Sequence, residues 1–360
     1  MKLSVGIVGL PNVGKSTLFN ALLHRQVADV ASYPFSTIEP NIGMVEVPDE
    51  RLGVLAKLVE PKKTVPAVVR FVDIAGLVKG ASQGEGLGNQ FLSHIREVDA
   101  IAHVVRFFED PNVSHISGRI DAALDIAIIK TELILADLQT LDKQVQPKGK
   151  VSHQDEIRWR SIENLKESLN NGHTARYTLL EPEERIAIED LHLLTNKPTI
   201  YVFNISTNQL TSGAFDAESI RTDLRLKSRA VSLCGQLEGD VAEKPKEEQK
   251  NVFSQYGLRE SGLETLIHVA YETLGLISFF TVGPDEVRAW TIQRGMTAKE
   301  AAGAIHTDFV KGFIKAEVCD YEAFLKVGSW KKAKELGLLR FEGKEYQVRD
   351  GDIVEFRFHV

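Results

Sequence analysis

The chain has 360 residues and a mass of 40.0 kDa, with 43% hydrophobic and 26% charged residues. That composition excludes a wholly disordered or collagen-like chain, and at roughly 150 residues per domain it predicts two or three domains. Lys+Arg 43 against Asp+Glu 50 gives a net charge of −7, a poor match for a general polyanion coat, although a local basic footprint can still bind RNA.

In chain order, Leu3 to Val8 reads as a short buried strand and Thr17 to Leu23 as the helix that follows a tight loop. The start lacks the pattern of a signal peptide, because a glycine-rich motif follows the short apolar run at once. No apolar run approaches the roughly 18 residues of a membrane span. The two cysteines, Cys234 and Cys319, form neither a disulfide framework nor a zinc spacing. A cytoplasmic protein with no membrane partner is expected.

Val68 to Asp73, Ala100 to Val105 and Thr199 to Phe203 read as further strands, with a helix at Phe91 to Val98. Strands alternating with helices predict a mostly parallel sheet covered on both faces. Between the third and fourth strands the pattern turns helical. Leu124, Ile128, Thr131, Leu135, Leu138 and Val145 fall on steps of three and four or their multiples, close to a coiled-coil seam that Asp142 interrupts. Pro147-Lys148-Gly149 reads as a turn, and Ile162, Leu165 and Leu169 continue on a second helix. Pro182, with Glu183 and Glu184, opens a third. The charged segment 238–250 reads as solvated.

From Ser278 the texture changes to an α+β module. Phe279 to Val282, Val287 to Ile292 and Ile353 to Phe358 read as strands. Thr297 and Glu300 form a capping box for a helix to Ile305. The expected organisation is a nucleotide core at 1–120 and 199–277, a helical insertion at 121–198 and a C-terminal module at 278–360.

Gly9-Leu10-Pro11-Asn12-Val13-Gly14-Lys15-Ser16-Thr17 matches the phosphate loop in full, with a strand before it and a helix after it. Glycines at 9 and 14 let the backbone approach phosphates closely, and successive N–H groups with the helix dipole supply positive potential. Lys15 reaches the β- and γ-phosphates and the Ser16 hydroxyl suits Mg²⁺. Asp73, at a strand end and followed by Ile74-Ala75-Gly76, suits the Walker-B role, and the Gly76 N–H suits the γ-phosphate. Thr37 is either a magnesium ligand that engages only with the γ-phosphate or a turn residue. The glycines at 76, 80, 84, 86 and 88 form either a second switch or a linker. Asn204, with Ile205 behind it, stands where a base-reading residue belongs.

Together these residues resemble the YchF family of Obg-related P-loop ATPases over nearly the whole chain. The matching stretches are Gly9 to Thr17, Pro34 to Asn41, Asp73 to Val78, Gly80 to Gln90, Phe279 to Gly295, Ala301 to Gly312 and Asp350 to Val360. The resemblance implies a P-loop GTPase-like α/β core with a helical, coiled-coil-like insertion and a C-terminal β-grasp (TGS) module. It also implies ATP hydrolysis with Mg²⁺, weak GTPase activity, and association with the ribosome or its RNA. A monomer without DNA as partner is expected. The family usually carries Asn-x-x-Glu in place of the guanine-reading Asn-Lys-x-Asp; here Asn204-Ile205-Ser206-Thr207 has no acidic residue at all. A hydroxyl cannot accept the paired guanine N1 and N2 donors as a carboxylate does, so ATP remains the expected substrate. Leu77 stands where Ras-like enzymes orient water with glutamine, which implies slow turnover. His115 matches a loop histidine proposed as catalytic in the family, and Asn12 resembles a potassium-coordinating asparagine of related enzymes.

Residues 278–360 carry 13 Lys+Arg and 13 Asp+Glu, so the C-terminal module is neutral, with Lys331, Lys332 and Lys334 clustered beside Trp330. Such a basic and aromatic patch suits RNA, or is a solvated helix face. Two readings of the activity stand: a nucleotide-hydrolysing switch, and a nucleotide-dependent binding module whose hydrolysis is incidental. A small-molecule kinase lacks an evident acceptor pocket.

Overall fold

A computed structural model describes residues 3–26, 41–74, 87–110, 120–149, 151–212 and 215–359. The first half runs β1 (Ser4–Val8), α1 (Lys15–Leu23), β2 (Ile42–Glu46), α2 (Glu50–Val59), β3 (Lys63–Val65), β4 (Val68–Asp73), α3 (Leu87–Glu97) and β5 (Ala100–Arg106). The helical stretch holds α4 (Ala122–Asp142), α5 (His153–Asn170) and the short α6 (Pro182–Ile186). Then come β6 (Thr199–Asn204), α7 (Thr207–Ser212), α8 (Ala217–Asp223), β7 (Arg229–Leu233), α9 (Gly235–Val241), α10 (Lys246–Gln255) and α11 (Gly262–Thr273). The C-terminal part holds β8 (Leu276–Val282), β9 (Glu286–Gln293), α12 (Ala298–Ile305), α13 (Thr307–Lys311), β10 (Phe313–Cys319), α14 (Tyr321–Val327), α15 (Trp330–Glu335), β11 (Arg340–Glu342) and β12 (Ile353–Phe358).

Two six-stranded sheets result. The first has the order β2-β4-β1-β5-β6-β7, parallel throughout except for β2, which pairs antiparallel with β4. β1 and β5 are buried at every position, as expected of central parallel strands covered on both faces. The P-loop GTPase-like α/β architecture is therefore present, with the strands read from sequence in place. Among the described residues no helix is long and apolar enough to cross a membrane.

The second sheet has the order β11-β10-β12-β8-β9-β3. Its alternating faces feed two cores. Leu276, Phe280 and Val282 of β8 face the cluster shared with the first sheet, while Ile277 and Phe279 face a second cluster with Ala301, Val318 and Phe356. The Thr297–Glu300 capping box is present. β3, from the first half of the chain, supplies the edge strand and runs parallel to β9, with Lys63 opposite Glu286. Arg51 fastens the same excursion from α2. Its guanidinium meets Asp49 at 2.8 Å and Asp350 at 2.8 Å, while Asp350 accepts from the Ser278 N–H at 2.9 Å.

The helical insertion departs from its expected seam. Leu124, Leu135 and Val145 are 39%, 38% and 82% exposed, whereas Ile126, Ile129, Leu133, Ala136 and Leu141 are buried. α4 is apolar around most of its circumference, so spacing reveals a helix without revealing which stripe faces inward. Asp142 ends the helix rather than interrupting it. Buried Asp137 accepts from Leu194 N–H at 2.7 Å, Thr195 N–H at 2.8 Å and Thr195 Oγ1 at 2.7 Å, tying α4 to the chain returning toward β6. Ile162, Leu165 and Leu169 are buried in the insertion's own cluster, as expected. The 238–250 segment is not merely solvated, since its residues Glu238 and Val241, on α9, are buried.

Removing the Arg51 fork strips two carboxylates of their partner at a half-buried junction. Arg51→Ala is expected to lower stability by about 1–2 kcal/mol, read by urea denaturation. Unchanged midpoints would show that β3 pairing alone holds the junction.

Candidate nucleotide-binding site

The phosphate loop is held open from beneath by its own lysine. Lys15 Nζ donates to the Gly9 carbonyl at 3.1 Å and the Leu10 carbonyl at 2.9 Å. These bonds turn carbonyls inward and leave the loop's N–H groups for an anion. Asn12 and Gly14 take left-handed backbone at φ 64° and 93°. Gly14 has no room for a side chain: a Cβ there would lie 2.2 Å from Asn204 Nδ2. Arg106, almost fully buried, donates to the Phe108 carbonyl at 3.0 Å and stacks on the Phe108 ring at 4.4 Å.

Asp73 ends β4 beside this loop. Burial pushes its carboxyl upward against the counteracting charge of Lys15, and burial pushes Lys15 downward against Asp73. Asp73 Oδ1 is buried without a hydrogen-bond partner among the described residues. An orphaned carboxylate oxygen next to a phosphate loop fits a hydrated cation, so the residues present suit Mg²⁺.

Asn204 sits at the end of β6, where sequence reading put it, but its side chain is engaged within the protein. Nδ2 donates to the Val13 carbonyl at 2.9 Å, and Oδ1 accepts from the Gly235 N–H at 2.9 Å. Ile205 is buried and donates its N–H to Leu233 O at 2.9 Å. A cleft of about 460 Å³ opens above these residues, a size suited to a nucleotide. Asn12, Gly14, Lys15, Ser16 and Thr17 line one end, and Asn204, Ile205 and Ser206 the other. Thr207 opens α7 and is not part of the lining.

Sequence reading missed Phe108, Glu109, Asp110, Cys234 and Gln236, which also line the cleft. Cys234-Gly235 at the junction of β7 and α9 was the available signal, since ligands in such sheets bind where strands hand over to helices. Thr37, Gly76, Leu77 and His115 lie outside the described residues. Among the described residues no group of three or more His, Cys, Asp or Glu forms a metal cluster.

Residues 4–137 match the family model of the 50S ribosome-binding GTPase, and residues 276–359 match the YchF-GTPase C-terminal model, described as a protein of unknown function. The ribosome-binding ATPase YchF of Bacillus subtilis is 48% identical, with 100% of both chains covered. That of Escherichia coli O157:H7 is 47% identical over the same full coverage. The chain belongs to the YchF family. The structure of the Schizosaccharomyces pombe YchF GTPase matches with a TM-score of 0.88 at 35% identity, covering 99% of this chain and 98% of that one. A GTP-binding protein from Pyrococcus horikoshii OT3, at 18% identity and a TM-score of 0.58, shares the fold.

Two predictions come from this geometry. Gly14→Ala should weaken nucleotide binding at least a hundredfold, since it forces both a strained backbone and a clash with Asn204. Asn204→Asp should do the same by turning a carboxylate oxygen on the Val13 carbonyl; binding of a fluorescent nucleotide by either variant at parental affinity would contradict the arrangement. Farther back, Glu238 accepts from Leu263 N–H at 3.3 Å and is pushed up to about 7 by burial, with Arg25 opposing and Glu264 adding to the rise. Its folded pKa exceeds the unfolded value, so the native state holds the proton more tightly. The resulting stability is full below about pH 4 and is lost as pH rises through 7. Glu238→Gln should therefore gain up to about 3 kcal/mol relative to the parent between pH 5 and pH 9, measured by denaturation at each pH.

Proposed function

We propose that this YchF-family chain is a Mg²⁺-dependent nucleoside triphosphatase that prefers ATP to GTP. In this reading it acts in the cytoplasm as a slow nucleotide-state switch on the ribosome or its RNA. The observation that carries the proposal is the pairing of a complete phosphate loop with Asp73, whose buried oxygen has no hydrogen-bond partner among the described residues. The names of the full-length relatives, ribosome-binding ATPases, support the same reading.

The roles divide as follows. The loop N–H groups and Lys15 hold the phosphates, with Lys15 released from the Gly9 and Leu10 carbonyls as it turns to the γ-phosphate. Ser16 and Asp73 would hold Mg²⁺, which would neutralise charge on the phosphate oxygens. Thr37 completes the metal shell and the Gly76 N–H meets the γ-phosphate. His115 contributes at the reacting phosphate in place of the absent glutamine, and Asn12 bears on K⁺. The Asn204-Ile205-Ser206-Thr207 segment itself offers no carboxylate to guanine, although Glu109 and Asp110 line the same cleft.

Competition between ATP and GTP tests the preference: ATP should win, and GTP binding tenfold tighter would overturn it. Lys15→Ala should lower turnover at least a hundredfold. Ribosomes should raise turnover of the parent. If they bind in an ATP-dependent way and leave turnover unchanged, the chain is a nucleotide-gated binding module instead. His115→Ala with intact basal and stimulated turnover would remove His115 from the mechanism.

A further inference from the structure

A second pocket, of about 430 Å³, lies against the first sheet, from the starts of β5 and β6 to His103 and Tyr201 farther along them. Ile101 and Thr199, near the starts of β5 and β6, form its base. Asn204 closes the other end of β6, about 17 Å away along the strand. α4 walls one side and the insertion's turn at His173 to Tyr177 another, while the chain entering β7 at Leu224 to Ser228 completes the rim. Tyr177 Oη meets Ser228 Oγ at 3.0 Å, so the insertion and the core touch across the rim.

The charge of the lining is one-signed. Lys130, Arg176, Lys197, Arg225 and Lys227 line the pocket, and no Asp or Glu among the described residues does. In a chain of net charge −7 this concentrates positive potential in one concavity. Lys130 and Arg225 are exposed and carry no ion pair among the described residues. Lys227 Nζ stands 5.1 Å from the centre of the Tyr177 ring. The floor is uncharged and aromatic, with the His103 and Tyr201 rings 5.5 Å apart and tilted by 41°. Complete burial, with the Lys15 charge adding to the fall, holds His103 near a pKa of about 3, so it is neutral at physiological pH. Apolar side chains of α4, Ile126, Ile129 and Leu133, complete the lining.

Flat neutral rings below and unpaired cations at the rim suit a ligand with a planar ring and an anionic tail. We propose that this pocket is a second binding site, separate from the phosphate-loop cleft, for a nucleotide-class ligand whose ring lies toward His103 and Tyr201 and whose phosphate meets Lys130, Arg225 and Lys227. The site joins the helical insertion to the core, so its occupant bears on the angle between them.

The full-length protein, with its phosphate-loop cleft saturated by a non-hydrolysable ATP analogue and Mg²⁺, is titrated calorimetrically with adenosine 5′-monophosphate, adenosine and inorganic phosphate. The monophosphate should bind one-to-one, more tightly than either fragment. Lys130→Ala/Lys227→Ala should weaken it at least tenfold while affinity for the ATP analogue stays within twofold. Ala127→Trp, at an exposed α4 position lining the pocket, should block binding without changing charge. No binding of the monophosphate to the parent, or equal binding by parent and both variants, overturns the proposal. Phosphate binding as tightly as the monophosphate overturns the assignment of a ring. The analogue's own affinity, measured in the same protein, separates failure of this site from failure of the phosphate-loop reading.

Discussion

The Asn204 carboxamide donates to the Val13 carbonyl and accepts from the Gly235 N–H, so one side chain fixes β6, the phosphate loop and α9 relative to one another. Each of those segments has little freedom of its own. The loop carries left-handed residues at 12 and 14, and α9 begins at the residue Asn204 holds. Lys15 braces the same loop from inside through two carbonyls. A loop built to present N–H groups to phosphate must keep a backbone shape that leaves them unpaired, and these side-chain bonds to its carbonyls help to hold that shape. The shape is thus ready before the nucleotide arrives, and binding need not supply the ordering.

The connection between the sheets depends on a different kind of contact. The chain leaves the first sheet after β2, forms α2 and β3 against the C-terminal module, and returns as β4 to deliver Asp73. The two ends of this excursion border segments that sequence reading associates with Thr37 and Gly76. The module and Asp73 are therefore joined by six residues of β4 and two of connector. β4 pairs with β1 in the first sheet while β3, two residues before it, pairs with β9 in the second, so one short stretch of chain belongs to both sheets.

Much of this was legible in the sequence where the determining interactions are local. Val5, Ile7 and Val8 read as a buried strand because both faces of a central parallel strand are covered. The Thr297–Glu300 box read correctly because a cap is set by residues three apart. The position of Asn204 was legible, but its partners were not, since Val13 and Gly235 approach it only in the fold. The inward stripe of α4 was misread because Leu124 and Leu135 are as apolar as Ile126 and Leu133, and what decides between them is which stripe the core covers. β3 went unseen because Lys63-Thr64-Val65 is a strand only by virtue of Glu286 to Arg288. The cationic pocket is assembled from several distant segments and has no local signature.

The pairing of Lys63 with Glu286 also sets an order of events in time. The partner of β3 is made about 220 residues later, which at ordinary rates of synthesis is a delay on the order of ten to forty seconds. Until then α2 has no second sheet to cover Leu55, and β3 lacks the strand it pairs with. In that interval β4 can pair with β1 and β2, and the Val47 N–H can meet the Ala67 carbonyl. The C-terminal module is thus the last piece to be made and the one that completes an element near the beginning. A chain stopped short of β9 would leave β3 without its partner strand and the shared core without Val287 and Ala289.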